Sequence, residues 1–366
     1  MSIKTIYRVG ILLFVILFVG GSHLSAQAAN PLAPDHAPAL EIFTGFSRPA
    51  QIQSMASSSP TVEDSNSAGS PPTMYTYLPL VEKGNSMPPG GGDWQPSFPI
   101  RAAFYYPWFP EAWNQLGIYP YTNYTPKLGY YSSKDQNTIK QHIAMMQYAH
   151  IDAAIASWWG QGSQTDTKIA GLLSASVGTN FRWALYYENE SIGNPSATQI
   201  QADLTYIRDH YGKNPNFLRV NGKFVVFVYS DGGDACGMAD RWKQANTVGA
   251  YIVLKVFPGY GGCASQPDSW HQYCPAVAAD SQGSISYTIS PGFWQKGNSI
   301  RLARDITRWA QNVRDMIASG AEWQLINTFS EWGEGTAVEP AAEWASSSGY
   351  GQYLDLLHTN GGVSTP

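Results

Sequence analysis

From about residue 97 to residue 360 the chain alternates between two hydrophobic patterns. Short apolar, β-branched or aromatic runs read as buried strands: Ala102–Trp108, Ala153–Trp159, Trp183–Glu188, Phe224–Tyr229, Tyr251–Phe257, Ser284–Ile289 and Gln324–Phe329. A weaker eighth candidate lies around Ser269–Pro275. Between them run amphipathic stretches with helical spacing. Asp135–Ala149 opens on a Ser-Ser-Lys-Asp cap region and places Ile139, Ile143 and Met146 on one face. Ser196–His210 and Ile300–Ala318 behave alike. Strand–helix alternation over this length predicts an α/β class fold, a (β/α)8 TIM barrel of roughly 250 residues. An open doubly wound sheet is the main competitor, but no GxGxxG follows the first strand.

The pattern changes upstream. Lys4 and Arg8 precede the apolar run Val9–Val19, and Ala26-Gln27-Ala28 fits a small-x-small cleavage site. Residues 1–28 are therefore expected to be a signal peptide; an uncleaved anchor is the alternative. The run is too short for a membrane span of about 20 residues, so no transmembrane domain is expected once the signal is removed. The mature chain is expected to be secreted or extracytoplasmic, with tethering to the cell surface left open. Pro, Ser and Gly fill 25 of the 64 positions from 30 to 93, while all 13 Trp lie between Trp94 and Trp344. The division expected is a low-complexity linker over 29–96 and a catalytic domain over 97–360.

Composition narrows the function. Charged residues are 13% of the chain, about half the usual share, and aromatics are also 13%. A net charge of −5 without a basic run argues against nucleic acid as a partner. Many Trp and Tyr with few charges suit recognition by stacking and hydrogen bonding. Of Cys236, Cys263 and Cys274, the pair Cys236–Cys263 is preferred because it would tie neighbouring loops; the other pairings stay open. The seven His form no HxH or HExxH, no CxxC occurs, and no metal or cofactor is expected. His142 is expected to be structural.

In a (β/α)8 barrel the chemistry sits at the C-terminal strand ends. Here those ends read Tyr105-Tyr-Pro-Trp108, Ser157-Trp-Trp159, Tyr186-Tyr-Glu-Asn-Glu190 and Phe329-Ser-Glu-Trp-Gly-Glu-Gly335. Glu331 and Glu334, three apart just past a buried strand, can point into one cleft. Close carboxyls split their pKa values, so one serves as an acid and the other as a base. Their flanking glycines would permit tight turns. Helix-dipole acids are the bland alternative. Glu188 is a hydroxyl ligand, a nucleophile or the buried partner of an Arg, and Trp108, Trp158 and Trp159 are sugar platforms or core.

The order of motifs resembles glycoside hydrolase family 99, the endo-α-mannosidases, and the related domain of polysaccharide gene clusters. The stretches that carry it are Phe104-Tyr-Tyr-Pro-Trp-Phe109, Pro126-Lys-Leu-Gly-Tyr-Tyr-Ser-Ser-Lys-Asp135, Ser157-Trp158, Asn221-Gly-Lys-Phe-Val-Val-Phe-Val-Tyr229, and Ile326-Asn-Thr-Phe-Ser-Glu-Trp-Gly-Glu-Gly-Thr336 with Glu339. The resemblance implies a (β/α)8 barrel and an oligosaccharide or polysaccharide substrate. It implies Glu334 as general acid and Glu331 as base on the sugar's own 2-hydroxyl, with net retention. It places Glu188, Tyr106, Trp108, Trp158 and Tyr273 at the substrate. Ser330 and Gly333 depart from the family's Asn and His, and Ala337 stands where a larger polar residue is usual. Retaining glycosidase chemistry is thus better supported than any one sugar. Two other readings stand beside it: Glu188 as nucleophile with Glu334 as acid/base, and a catalytically silent glycan-binding or polysaccharide-assembly protein.

Overall fold

The computed structural model describes residues 92–362. The expected signal peptide, and the expected linker up to residue 91, lie outside the described residues. In chain order the elements are β1 (Ile100–Tyr105), α1 (Gln136–Tyr148), β2 (Ala153–Trp158), α2 (Asp166–Ala175), β3 (Arg182–Tyr187), α3 (Ala197–Ile207), β4 (Arg219–Val220), β5 (Lys223–Val228), α4 (Cys236–Ala245), β6 (Tyr251–Lys255), β7 (Ser269–His271), β8 (Ala279–Ser281), β9 (Ser286–Ile289), α5 (Ile306–Ala318), β10 (Trp323–Ile326) and α6 (Gln352–His358). Every strand run read from the sequence, the weaker eighth included, contains a strand. The short antiparallel β4 and β8 carry too few residues to show a pattern.

The main sheet runs β7-β6-β5-β3-β2-β1-β10-β9-β8, with β4 on β5. Neighbours pair parallel except β4–β5 and β8–β9. The sheet curls so that β9 comes beside β7. There the Thr288 hydroxyl donates to the Gln272 carbonyl at 2.8 Å in place of a backbone ladder. The fold is therefore α/β with a curled, mainly parallel sheet.

Alternation along each strand sorts side chains between the inside of the curl and the helices. Phe104 of β1 meets Tyr186 of β3 at 4.8 Å, His271 of β7 at 5.8 Å and Phe227 of β5 at 6.4 Å. Such contacts between distant strands place these residues inside. Their chain neighbours face out: the Tyr105 hydroxyl bonds His142 on α1 at 3.0 Å, and the Trp183 indole donates to Ser176 at 2.6 Å. Burial on both faces explains why the strands read as continuous apolar runs. His271 accordingly has its pKa pushed down to about 3 by desolvation, so it is neutral and takes part in a hydrogen bond with Tyr186.

Three helix starts follow from capping side chains. Asp135 accepts from the Thr138 N–H, Ser196 from that of Gln199, and Asp305 from that of Arg308. The last corrects the helix expected from Ile300. Residues before Asp305 are non-helical, with the Arg301 and Leu302 amides both on the Phe293 carbonyl. The linker boundary also moves. Trp94 and Gln95 fasten to the folded part: Arg182 donates to the Trp94 carbonyl, and Gln95 receives the Arg219 amide. Among the described residues no helix is long and apolar enough to cross a membrane.

Cys236 and Cys263 form a disulfide, the preferred pairing, across 27 residues of chain; it joins the start of α4 to the loop after β6. Closing a loop of this length restricts the unfolded chain by roughly 3 kcal/mol. We expect Cys236→Ser to lower the melting temperature by roughly 5–10 °C in calorimetry. A change of under about 1 °C would mean that the cross-link does not constrain the unfolded ensemble.

Candidate active site

The C-terminal ends of the inward-facing strand positions converge on one polar layer. Glu188 continues the inward parity of Tyr186, and Tyr106 that of Phe104. Tyr273 packs edge-on against Phe104 at 5.1 Å and against Tyr229 at 5.6 Å. The Tyr106 hydroxyl donates to that of Tyr273 at 2.8 Å. Tyr273 in turn hydrogen-bonds Glu334. Trp108 meets Tyr106 edge-on at 4.5 Å, and its indole donates to Ser157 at 3.1 Å. The Ser157 hydroxyl is also a partner of the Glu188 carboxyl. Tyr106, Trp108, Glu188, Tyr273, Glu331 and Glu334 are thus brought together.

Trp158 is not among them, which corrects its expected place at the substrate. Ser157 takes the inward position of β2, so its neighbour must face the helices. The Trp158 indole is fully buried there and donates to Asp166 at 2.6 Å. Asp166 also accepts from Tyr206 and Tyr211, at 2.8 and 2.7 Å, which locks the indole into the layer between strands and helices. Trp159 recovers the inward parity and is only partly buried.

The loop after β10 holds both glutamates of the proposed pair. Thr328 and Thr336 pair across it through both backbone and hydroxyls, and the Glu331 amide donates to the Thr328 hydroxyl at 2.9 Å. Below, the fully buried Glu339 accepts from Tyr131 at 2.7 Å and from the Trp332 indole at 3.1 Å, and bonds His142 at 3.2 Å. Trp332 stands between the two glutamates in sequence, so this network fixes the backbone that carries them. Gly335 adopts φ +70°, and a Cβ there would sit 2.7 Å from the Trp294 carbonyl. Gly333 is required for a different reason, close approach. A Cβ on it would lie 3.0 Å from two atoms of the Tyr121 ring and 3.2 Å from a Glu331 carboxylate oxygen.

The three carboxyls of the layer are buried, and each has one oxygen without a hydrogen-bond partner. Burial is the largest influence on all of them. It pushes Glu188 up to about 8 against the bond from Ser157, with the Glu334 charge adding to the rise. It pushes Glu334 up to about 7 against Arg301 and the bond from Tyr273. Glu331 rises well above the ordinary range by burial and then by the charge of Glu334. Sequence reasoning missed three neighbours. Asn327 is fully buried with neither side-chain atom partnered, Tyr229 packs on Tyr273, and Tyr121 borders Gly333. Asn327 and Tyr229 hold the inward parity one residue beyond their strands, a parity that runs buried on both faces do not reveal in the sequence, and nothing in the sequence points to Tyr121. Among the described residues no group of three or more His, Cys, Asp or Glu could hold a metal ion.

A carboxyl whose pKa is raised in the fold binds its proton more tightly there than in the unfolded chain. Its contribution to stability is complete below the unfolded value and is lost as pH rises through the folded one. For Glu188 that window ends at about 8. Glu188→Gln is expected to shrink the drop in melting temperature between pH 5 and pH 9; an equal drop in parent and variant would show that Glu188 is not held protonated.

Comparisons with known proteins bear on the chain's sequence and fold. The family model of glycosyl hydrolase family 99 matches residues 103–255, which include Tyr106, Trp108 and Glu188 but end before Tyr273 and the glutamate pair. Glycoprotein endo-alpha-1,2-mannosidase of Rattus norvegicus is 29% identical over 271 residues, 60% of this chain and 57% of the rat protein. The Xenopus laevis protein of the same name is 22% identical, covering 92% of this chain and 90% of its own. The chain thus spans little more than half the length of its rat relative. The structure of the GH99 endo-alpha-mannosidase from Bacteroides thetaiotaomicron superposes with a TM-score of 0.55 at 20% identity, covering 72% of this chain and 96% of that one. It shares the fold. The motifs, the curled sheet and the match over residues 103–255 agree in their likeness to glycoside hydrolase family 99.

Proposed function

We propose that this protein is a retaining, endo-acting glycoside hydrolase of α-linked, mannan-type polysaccharide, exported from the cytoplasm. The observation that carries the reading is the set of three buried carboxyls, Glu188, Glu331 and Glu334, each with an unpartnered oxygen, in a layer of tyrosines and Trp108. Buried polar atoms without partners are costly. A sugar supplies hydroxyls for them and apolar ring faces for the aromatics. The names of the relatives point to the mannan class.

In the proposed reaction Glu331 takes the proton of the substrate's 2-hydroxyl. That oxygen attacks the anomeric carbon from the face opposite the leaving group, while Glu334 gives its proton to the departing glycosidic oxygen. The product is a 1,2-anhydro sugar. Water then opens it at the anomeric carbon, giving a proton to Glu334 while Glu331 returns one to the 2-oxygen, with net retention. Back-side attack needs a 2-hydroxyl trans to the leaving group, as α-mannosides have. Glu188, uncharged at neutral pH with its pKa at about 8, hydrogen-bonds sugar hydroxyls without adding negative charge. Tyr106, Trp108 and Tyr273 wall the sugar.

The free site holds the proton of the pair in the other order. Arg301 and Tyr273 favour charge on Glu334, so the shared proton rests on Glu331. The proposal therefore requires bound sugar to move it. A 2-hydroxyl donating to Glu331 stabilises the carboxylate there, and a glycosidic oxygen accepting from Glu334 stabilises the acid.

Glu334→Gln keeps the shape and removes the transferable proton. Reducing-end release from a panel of α-mannans and α-glucans is expected to fall by roughly 10²–10⁴-fold. Glycan binding without cleavage, unchanged in the variant, would instead make the protein a binding module. The pH profile supplies a second check. The acid limb of kcat/KM should titrate near the 7 of Glu334, and Arg301→Ala should move it to higher pH, because Arg301 favours the carboxylate. A limb in the ordinary range near 4.5 would contradict the buried pair.

A further inference from the structure

We propose that Tyr121 is a substrate-contacting specificity residue, whose ring sets the width of the site at Gly333 and whose hydroxyl bonds the sugar held at Glu331 and Glu334; the inference rests on the hydrolase reading above. The placement is built into the fold. Tyr121 lies in the loop between β1 and α1, and its amide donates to the Trp113 carbonyl at 2.8 Å. Nearby, Asn123 donates from its side chain to the Trp294 carbonyl at 2.8 Å. The Trp294 and Lys296 amides donate to the Glu334 and Gly333 carbonyls, both at 2.9 Å. The loops after β1, β9 and β10 are thereby stitched together where Tyr121 stands.

The ring and the carboxylate border the same point. Atoms Cδ1 and Cε1 of Tyr121 and Oε1 of Glu331 all lie within 3.2 Å of the position a Gly333 Cβ would take. The ring thus occupies space that a side chain at 333 would need, and the absence of a Cβ there is what admits it. Tyr121 is 2% exposed, and its hydroxyl has no hydrogen-bond partner. Burial raises its pKa, the neighbouring Gln295 side chain opposes that rise, and the charges of Glu331 and Glu334 add to it, so both carboxyls lie within electrostatic reach of the phenol. A buried phenol at this spot, beside the Gln295 side chain, can donate to a sugar oxygen. The acceptors that reach a site between two carboxyls are the hydroxyl and ring oxygens of the sugar. An apolar ring edge opposite a glycine also excludes sugars whose substituent at that position is larger.

Two sets of variants separate the hydroxyl from the ring. Tyr121→Phe keeps the packing on Gly333 and removes only the donor. On the mannan or oligosaccharide that the parent cleaves, we expect KM to rise roughly two- to tenfold with kcat little changed. Binding to the Glu334→Gln protein, read by calorimetry, should weaken by the same factor. A ring with a purely structural role would leave both values unmoved, and that result would overturn the contact. Gly333→Ala alone is expected to lose affinity, while Gly333→Ala with Tyr121→Ala should recover part of it, a coupling additive variants would refute. Melting temperatures of all variants identify any that fail to fold; Tyr121→Phe then carries the test. A parent that cleaves glycan with Tyr121→Phe unaffected would refute this inference alone. A parent that neither cleaves nor binds glycan would overturn the hydrolase reading, and the inference with it.

Discussion

A carboxyl group taken out of water must be met by donors or keep its proton, and this constraint divides the buried acids of the chain into two sets. Glu339 is the satisfied kind. Tyr131, the Trp332 indole and His142 surround it, and it is sealed from solvent. Glu188, Glu331 and Glu334 are the unsatisfied kind, each short of a partner and each pushed above the ordinary carboxyl range. The first set makes the second possible. A loop that carries two desolvated carboxyls would relax toward water unless something held it, and the indole that Glu339 grips lies between them in the chain.

The curled sheet distributes these roles through alternation. Each strand sends one parity inward, where Phe104, Tyr186, Phe227 and His271 fill the interior, and the next residues of that parity form the polar layer above them. The opposite parity builds the wall against the helices. Tyr105 reaches His142 there, and Trp158 reaches Asp166. One strand thus serves both the site and its support: Tyr106 stands in the polar layer while Tyr105 joins the network below it. The tyrosine chain from Tyr106 through Tyr273 to Glu334 links the first strand to the last loop in the same way.

The glycines after β10 show how little space separates support from chemistry. Gly335 accepts a left-handed backbone under the Trp294 carbonyl, and Gly333 lets an aromatic ring approach a carboxylate. Arg304 secures the far side of the same turn, donating to the Gly335 and Ala337 carbonyls while its guanidinium lies 4.1 Å from the Trp344 ring centroid. The glutamate pair is therefore presented by a loop whose flexibility is spent on close contacts. That is how preorganised acid and base groups are held near a productive geometry.

The sequence by itself determined the strands, their alternation with helices and the family resemblance, and it pointed to Glu188, Glu331 and Glu334 at strand ends. Those features are local, written in periodicity and in motifs a few residues long. It also pointed to the disulfide pairing, since neighbouring strands bring their loops together. Only the tertiary structure decided which of two adjacent tryptophans faces the site. Side-chain parity depends on the residue at which a strand enters the sheet, and an apolar run buried on both faces hides that register. The start of α5 was likewise settled by Asp305 capping the helix, against an apolar run that continues upstream. Tyr121 had no local signal, because its place beside Gly333 depends on three loops meeting over the end of the sheet.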